Sequence, residues 1–159
     1  NDITDQIDYS RYYGGAGCSF FRCANVLDNT KGIYDELKNV YYKYPAQLPP
    51  LKWLDDAVPE APSEIKVRKE NNELELTWDV PEGKSDSLSY TVYYAINDSV
   101  DTQTSSHMLA TGVRGNSFRL PLTDETERMY SFCVTSSTRY RIESKPSKET
   151  IYYLLPYEK

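Results

Sequence analysis

The stretch Glu73-Leu74-Glu75-Leu76-Thr77-Trp78-Asp79 alternates polar and apolar side chains without a slip, and its reading decides the fold. A period of two puts Leu74, Leu76 and Trp78 on one face of an extended chain and Glu75 and Thr77 on the other. The alternation recurs on both sides of this run. Upstream it links Ile65 to Val67. Downstream it links Tyr90, Val92 and Tyr94, and then Tyr130, Phe132 and Val134, each run bounded by Gly, Pro, Asp, Asn or Ser. Further strands are predicted over 107–111, 117–120 and 143–153. Short strands with turn residues between them and no helix call for a mainly β chain folded as a sandwich, with Trp78 filling the space between its sheets.

Before Pro62 the pattern is different. Residues 2–13 read as a helix, with Asp2 and Asp5 where the helix dipole favours negative charge, and Gly14-Gly15-Ala16-Gly17 ends it. Residues 18–22 are an apolar run of strand length. A second helix is predicted over 31–43, where Ile33, Tyr34, Leu37, Val40, Tyr41 and Tyr44 recur at the three-and-four spacing of one buried face. Helix, glycine turn, strand, helix makes a short α/β segment with two helices. The prolines at 45, 49, 50, 59 and 62 favour extended backbone and read as an ordered linker. The expected division is therefore 1–58 for the α/β segment with its linker and 59–159 for the sandwich.

With 39% apolar and 26% charged residues in 159, the chain has material for a packed core. Eighteen basic and twenty-four acidic residues give a net charge of -6. No Lys/Arg cluster reaches the density that follows a phosphate backbone, so nucleic acid is not an expected partner. No run approaches the length of a membrane span. Cys18, Cys23 and Cys133 do not form the even set of a disulfide framework and are expected to be buried free thiols. The first residue is Asn1 rather than Met, as expected of a piece cut from a longer protein.

Nothing in the pattern assembles a catalytic centre. His107 is the only histidine, lies in a polar loop or edge strand, and is expected to be solvated; Ser-His-Asp chemistry would depend on it, and zinc would lack its commonest ligand set. Glycoside hydrolysis needs two carboxylates across a cleft. The acidic pairs Asp35-Glu36, Asp55-Asp56 and Asp124-Glu125 read as solvated faces of a helix, linker or turn. No catalytic residue, cofactor or metal ligand is therefore expected. Fifteen tyrosines and two tryptophans offer surfaces on which sugars stack. The period-two phase turns Tyr90, Tyr94 and Tyr130 inward and Tyr93 the opposite way. Tyr93, Tyr152, Tyr153 and Trp53 are the expected exposed ligand contacts.

The second half resembles a fibronectin type III domain, an immunoglobulin-like β-sandwich. Pro62, the run Leu76-Thr77-Trp78-Asp79-Val80-Pro81, the run Tyr90-Thr91-Val92-Tyr93-Tyr94, Leu120 and Leu122 ahead of Tyr130-Ser131-Phe132-Cys133-Val134, and Ser144-Lys145-Pro146-Ser147 carry the resemblance in order. The first half resembles the closing stretch of a bacterial glycosyl-hydrolase-like TIM-barrel family, often lipoproteins. That likeness rests on Gln6-Ile7-Asp8-Tyr9-Ser10-Arg11, Gly17, Phe20-Phe21, Asn29, Gly32, Leu37, Tyr42, Tyr44-Pro45-Ala46, Pro49-Pro50 and Trp53-Leu54-Asp55.

The resemblance implies that residues 1–58 are a remnant of the last βα unit of the barrel plus its linker. It also implies an extracytoplasmic parent, periplasmic or on the cell surface, and a barrel partner upstream. Arg22 would then stand at the end of the last barrel strand, where such sites are built, and joins the expected ligand contacts. A whole barrel needs roughly 200 residues or more, so its catalytic carboxylates would lie outside this chain. The expectation is a non-catalytic C-terminal accessory module that positions the barrel or contacts polysaccharide or cell-wall glycan. The alternative, from another class, is a protein-interaction or adhesion module.

Overall fold

The computed structural model describes residues 2–15, 17–21, 23–80, 87–122 and 128–155. The chain divides into two compact units, Asn1–Lys43 and Tyr44–Lys159. The division expected from sequence was 58/59. The difference is the proline-rich linker, which belongs with the second unit.

The first unit is helical. Helix α1 (Asp2–Tyr12) is followed by a single turn, α2 (Ala24–Leu27), and by a 3-10 turn (Thr30–Gly32) that leads into α3 (Ile33–Glu36). The chain continues without a break as a π-helical stretch, Leu37–Tyr41. Asn29 starts the last helix: its Oδ1 accepts the backbone N–H groups of Tyr34 at 2.9 Å and Asp35 at 3.3 Å, donors that a helix start otherwise leaves unmet. Gly32, with φ 76, makes the turn into it.

The strand predicted over 18–22 does not form among the described residues. A strand is held by a ladder to a neighbour, and the described residues of the first unit offer none. The α/β expectation for this segment is thus corrected to a helical one. The predicted apolar stripe is half realised. Ile33 and Leu37 are buried with Ile7 of α1, and Ile3, Phe20, Val26 and Tyr41 pack on them. Tyr34, Val40 and Tyr44 are exposed. The π-helical turn adds a residue to the repeat after Leu37, which carries Val40 off the stripe.

The second unit is a β-sandwich of two antiparallel sheets. Its strands are β1 (Ser63–Glu70), β2 (Glu73–Asp79), β3 (Ser89–Ile96), β4 (Met108–Val113), β5 (Ser117–Pro121), β6 (Arg128–Ser137) and β7 (Thr150–Leu154). The order is β1-β2-β5 in one sheet and β4-β3-β6-β7 in the other. Registers such as Leu76↔Phe118 and Val92↔Val134 place apolar partners on the inner faces. The core holds Leu74, Leu76, Trp78, Tyr90, Val92, Tyr130, Phe132, Val134 and Leu154. The Trp78 and Tyr90 rings meet at 5.3 Å between centroids. Each fully buried Leu or Val in this layer contributes about 1.5–3 kcal/mol through removal from water.

The last strand is shorter than predicted. Residues 143–149 follow β6 only by scattered bonds, Ser144 N–H to the Ser136 carbonyl at 2.9 Å and Ser147 N–H to the Val134 carbonyl at 3.0 Å, and regular pairing begins at Thr150. The cysteine expectation is also corrected. All three thiols are free, but Cys18 and Cys23 are exposed and Cys133 alone is buried.

Candidate functional site

The two central strands of the four-stranded sheet, β3 and β6, are covered on both faces. The buried inward side chains of β3 and β6 are apolar except for Ser136 at the end of β6. The outward ones, Thr91 and Tyr93 on β3 and Ser131, Cys133 and Thr135 on β6, are buried as well. Of the outward hydroxyls, those of Thr91, Tyr93 and Thr135 are hydrogen-bonded, whereas Ser131 Oγ has no partner among the described residues.

Part of that cover is the proline-rich segment, which lies along the sandwich as a strap. Gln47 reaches over β3, and its Nε2 lies 2.7 Å from Glu143 Oε1, 3.0 Å from Thr91 Oγ1 and 3.1 Å from Tyr93 OH. The Tyr93 hydroxyl and the Thr135 hydroxyl both donate to the same Glu143 oxygen, at 3.0 and 2.5 Å. Two further ties hold the strap. Leu51 N–H donates to the Tyr140 carbonyl at 2.9 Å, and the Ser136 hydroxyl donates to the Glu60 carbonyl at 2.6 Å.

Burial, with the Glu143 charge second, pushes the Tyr93 phenol above its ordinary range and locks it as a hydrogen-bond donor. Burial also pushes the Cys133 thiol up to about 12, with the Glu149 and Glu143 charges adding to it. An inert thiol, a protonated phenol and a carboxylate oxygen taken by three donors make a structural tie.

The residues expected to contact ligand are dispersed. Trp53, on the strap, is 77% exposed, and Tyr153, on β7, is 63% exposed. Tyr152 alternates inward and packs against the core, so its expected exposure is corrected. Tyr93 is corrected too. It faces away from the core as its phase requires, yet only 1% of it is exposed because the strap covers it. Arg22 lies outside the described residues. Among the acidic pairs, Asp35 accepts the Asn29 side-chain amide at 2.8 Å and Asp55 accepts the Ala57 N–H at 3.0 Å; Asp124 and Glu125 lie outside the described residues. His107 is half-buried rather than solvated, because its Nδ1 accepts the Asp101 N–H at 3.0 Å and closes a loop. In that loop the Gln103 N–H and the Thr104 hydroxyl hold the Asp101 carboxyl below its usual range. Among the described residues no group of His, Cys, Asp and Glu is arranged to hold a metal ion.

Sequence reading missed Gln47 and Glu143, which lie 96 residues apart. The available signal was the row of hydroxyls at outward positions of β3 and β6, which asks for a polar cover.

The unit also carries an open concavity of about 720 Å³. The strap residues Leu54, Asp55, Ala57, Val58 and Pro59 form one wall. The other wall is Ser87 and Leu88 ahead of β3, Arg114 after β4, and Thr138, Arg139 and Tyr140 after β6. These segments meet because antiparallel order brings the start of β3 and the ends of β4 and β6 to the edge where the strap enters β1. The Arg114 guanidinium donates to the Leu88 carbonyl at 3.1 Å, and the Arg139 guanidinium stacks 4.5 Å from the Tyr140 ring centroid and donates to its hydroxyl.

No known family model matches the sequence. Over 137 residues, 84% of this chain, it is 31% identical to the glycosyl hydrolase YngK of Bacillus subtilis (strain 168). The matched stretch is 26% of that protein, so the chain spans about a quarter of the length of the relative it matches. Identity of that order over that length relates the chain to part of a glycosyl hydrolase. Among solved structures, the Yersinia enterocolitica family 28 exopolygalacturonase superposes with a TM-score of 0.47 at 14% identity, over 63% of this chain and 21% of that one.

Proposed function

We propose that this chain is a non-catalytic accessory module of a longer glycoside-hydrolase-like protein, serving to position the catalytic part and to contact glycan. The observation that carries the reading is the 31% identity to a quarter of a glycosyl hydrolase, across both units of this chain. The tied-up Glu143 supports it: the carboxylate most enclosed by donors is held by Gln47, Tyr93 and Thr135 rather than poised opposite a second one.

In this reading the sandwich is a fibronectin type III-like module, in keeping with its three-plus-four strand order and its buried Trp78. The helical unit is the end of a TIM barrel that lies upstream, in an extracytoplasmic and lipid-anchored parent. Because a sandwich fold fixes no function by itself, the glycan contact is the part that needs testing.

The test is to incubate the whole chain with a panel of glycosides and insoluble polysaccharides. The expected result is retention on at least one polysaccharide with no reducing ends released. Hydrolysis by this chain alone would overturn the non-catalytic reading. Retention on none of them, with stable capture of a defined protein, would replace it with an adhesion module.

A further inference from the structure

We infer that the concavity between the strap and the strand-end loops is a binding site for a carboxylate-bearing oligosaccharide, with Arg114 and Arg139 as its anion-reading groups. The inference deepens the glycan-contact reading above and rests on it.

Charge is the first argument. The chain carries a net charge of -6, yet two guanidinium groups and one carboxylate, Asp55, line this concavity. Neither arginine forms an ion pair among the described residues. A guanidinium has five N–H donors in a rigid fork. Arg114 commits one nitrogen to the Leu88 carbonyl and Arg139 one to the Tyr140 hydroxyl, so most donors of both remain for a ligand. Planar forks match planar carboxylates in bidentate fashion, and one ring face of Tyr140 fixes where the Arg139 fork sits.

The second argument is the apolar wall. Leu54 and Val58 are 57% and 65% exposed, although the strap that bears them is tied down through Leu51. Exposed apolar side chains on a fixed backbone, lining with two arginines a concavity of about 720 Å³, form an amphipathic slot of the size ligand sites take. A pyranose ring with a carboxylate offers both halves of the complement, C–H groups for Leu54 and Val58 and an anion for the two forks. Inorganic phosphate would satisfy only the cations, and a neutral sugar only the wall.

The experiment is an amide NMR titration of the whole chain with a (1→4)-linked hexuronate tetrasaccharide, its neutral hexose counterpart, and inorganic phosphate. Shifts are expected at Leu54 to Val58 and Thr138 to Tyr140, with the neutral sugar and phosphate each weaker by about tenfold or more, the scale of one lost charge-assisted hydrogen bond. Arg139→Gln and Arg114→Gln should each weaken the hexuronate by about tenfold. Arg119→Gln, which removes the same charge from the Glu70, Glu73 and Glu75 cluster on the other sheet, should leave it unchanged. Equal binding of phosphate or of the neutral sugar overturns the inference, as does equal weakening by Arg119→Gln. Glycan-induced shifts confined to other surfaces overturn this site and leave the accessory reading standing. No shift with any sugar overturns both.

Discussion

Replacing Gln47 by alanine should release the strap while leaving the sandwich folded. Three oxygens surround its side-chain nitrogen, but an amide has two hydrogens, so two bonds are made at a time. One of them, to Glu143, is charge-assisted and worth about 1.5–3 kcal/mol, and a neutral one is worth about 0.5–1.5 kcal/mol. Freeing the glutamine side chain returns about 1.5 kcal/mol of rotamer entropy. The net loss is about 2 kcal/mol, or roughly a thirtyfold rise in the population with the strap undocked. Glu143 keeps its bonds from Tyr93 and Thr135, so the carboxylate is not orphaned and the loss stays local.

The reporter is the Leu51 amide, which bonds to Tyr140 four residues beyond the substitution. Its hydrogen-exchange protection should fall by roughly thirtyfold, while β3 and β6 amides keep theirs. Gln47→Glu should be worse than the alanine at neutral pH, since it sets a second carboxylate against Glu143. Unchanged Leu51 protection in Gln47→Ala, or an equal drop across β3 and β6, would refute the strap mechanism.

Two other outcomes follow from single residues. Cys133 holds its proton more tightly folded than unfolded, so its contribution is complete below the ordinary thiol value of 9.0 and is lost as pH climbs toward about 12, while Tyr93, raised from its own ordinary value of 10.0, loses its contribution later in the rise; the urea midpoint should fall as pH climbs above 9.0, Cys133→Ala should flatten the first part of that fall, and identical profiles would contradict the assignment. Gly15→Ala would set a Cβ 2.8 Å from the Ser10 carbonyl oxygen that the Gly15 N–H already bonds at 2.7 Å, for an overpacking cost of about 1–3 kcal/mol. Helical circular dichroism should drop at lower temperature in that variant, and Gly17→Ala, whose Cβ meets nothing within 4 Å, should match the parent.

The sandwich was legible because burial on an antiparallel strand is written residue by residue. Leu74, Leu76 and Trp78 alternate in the sequence and are buried in the structure. The same parity turned Tyr93 outward correctly, but parity says nothing of what lies on the outer face. Its cover comes from Gln47, which is 46 residues away in the sequence. Two failures in the first unit have local causes. The run at 18–22 has the composition of a strand, and composition cannot supply the missing ladder partner. The 3.6 period predicted Val40 inside, and a π-helical turn between Leu37 and Tyr41 breaks that period. The concavity was not legible because four separate segments build it, none with a motif of its own. Trp53, the strap residue that sequence did single out, is exposed but is not among its lining residues.

The strap is stitched to the sandwich at Gln47, at Leu51 and at Glu60, in chain order. Tension applied at Tyr44 therefore loads the bonds one at a time, beginning with the Gln47 amide. The ladder between β1 and β2, next along the chain, is reached only after the stitches have opened. A tether built this way yields in small, separately reversible steps and can re-seat when the pull relaxes, with the sandwich itself still folded.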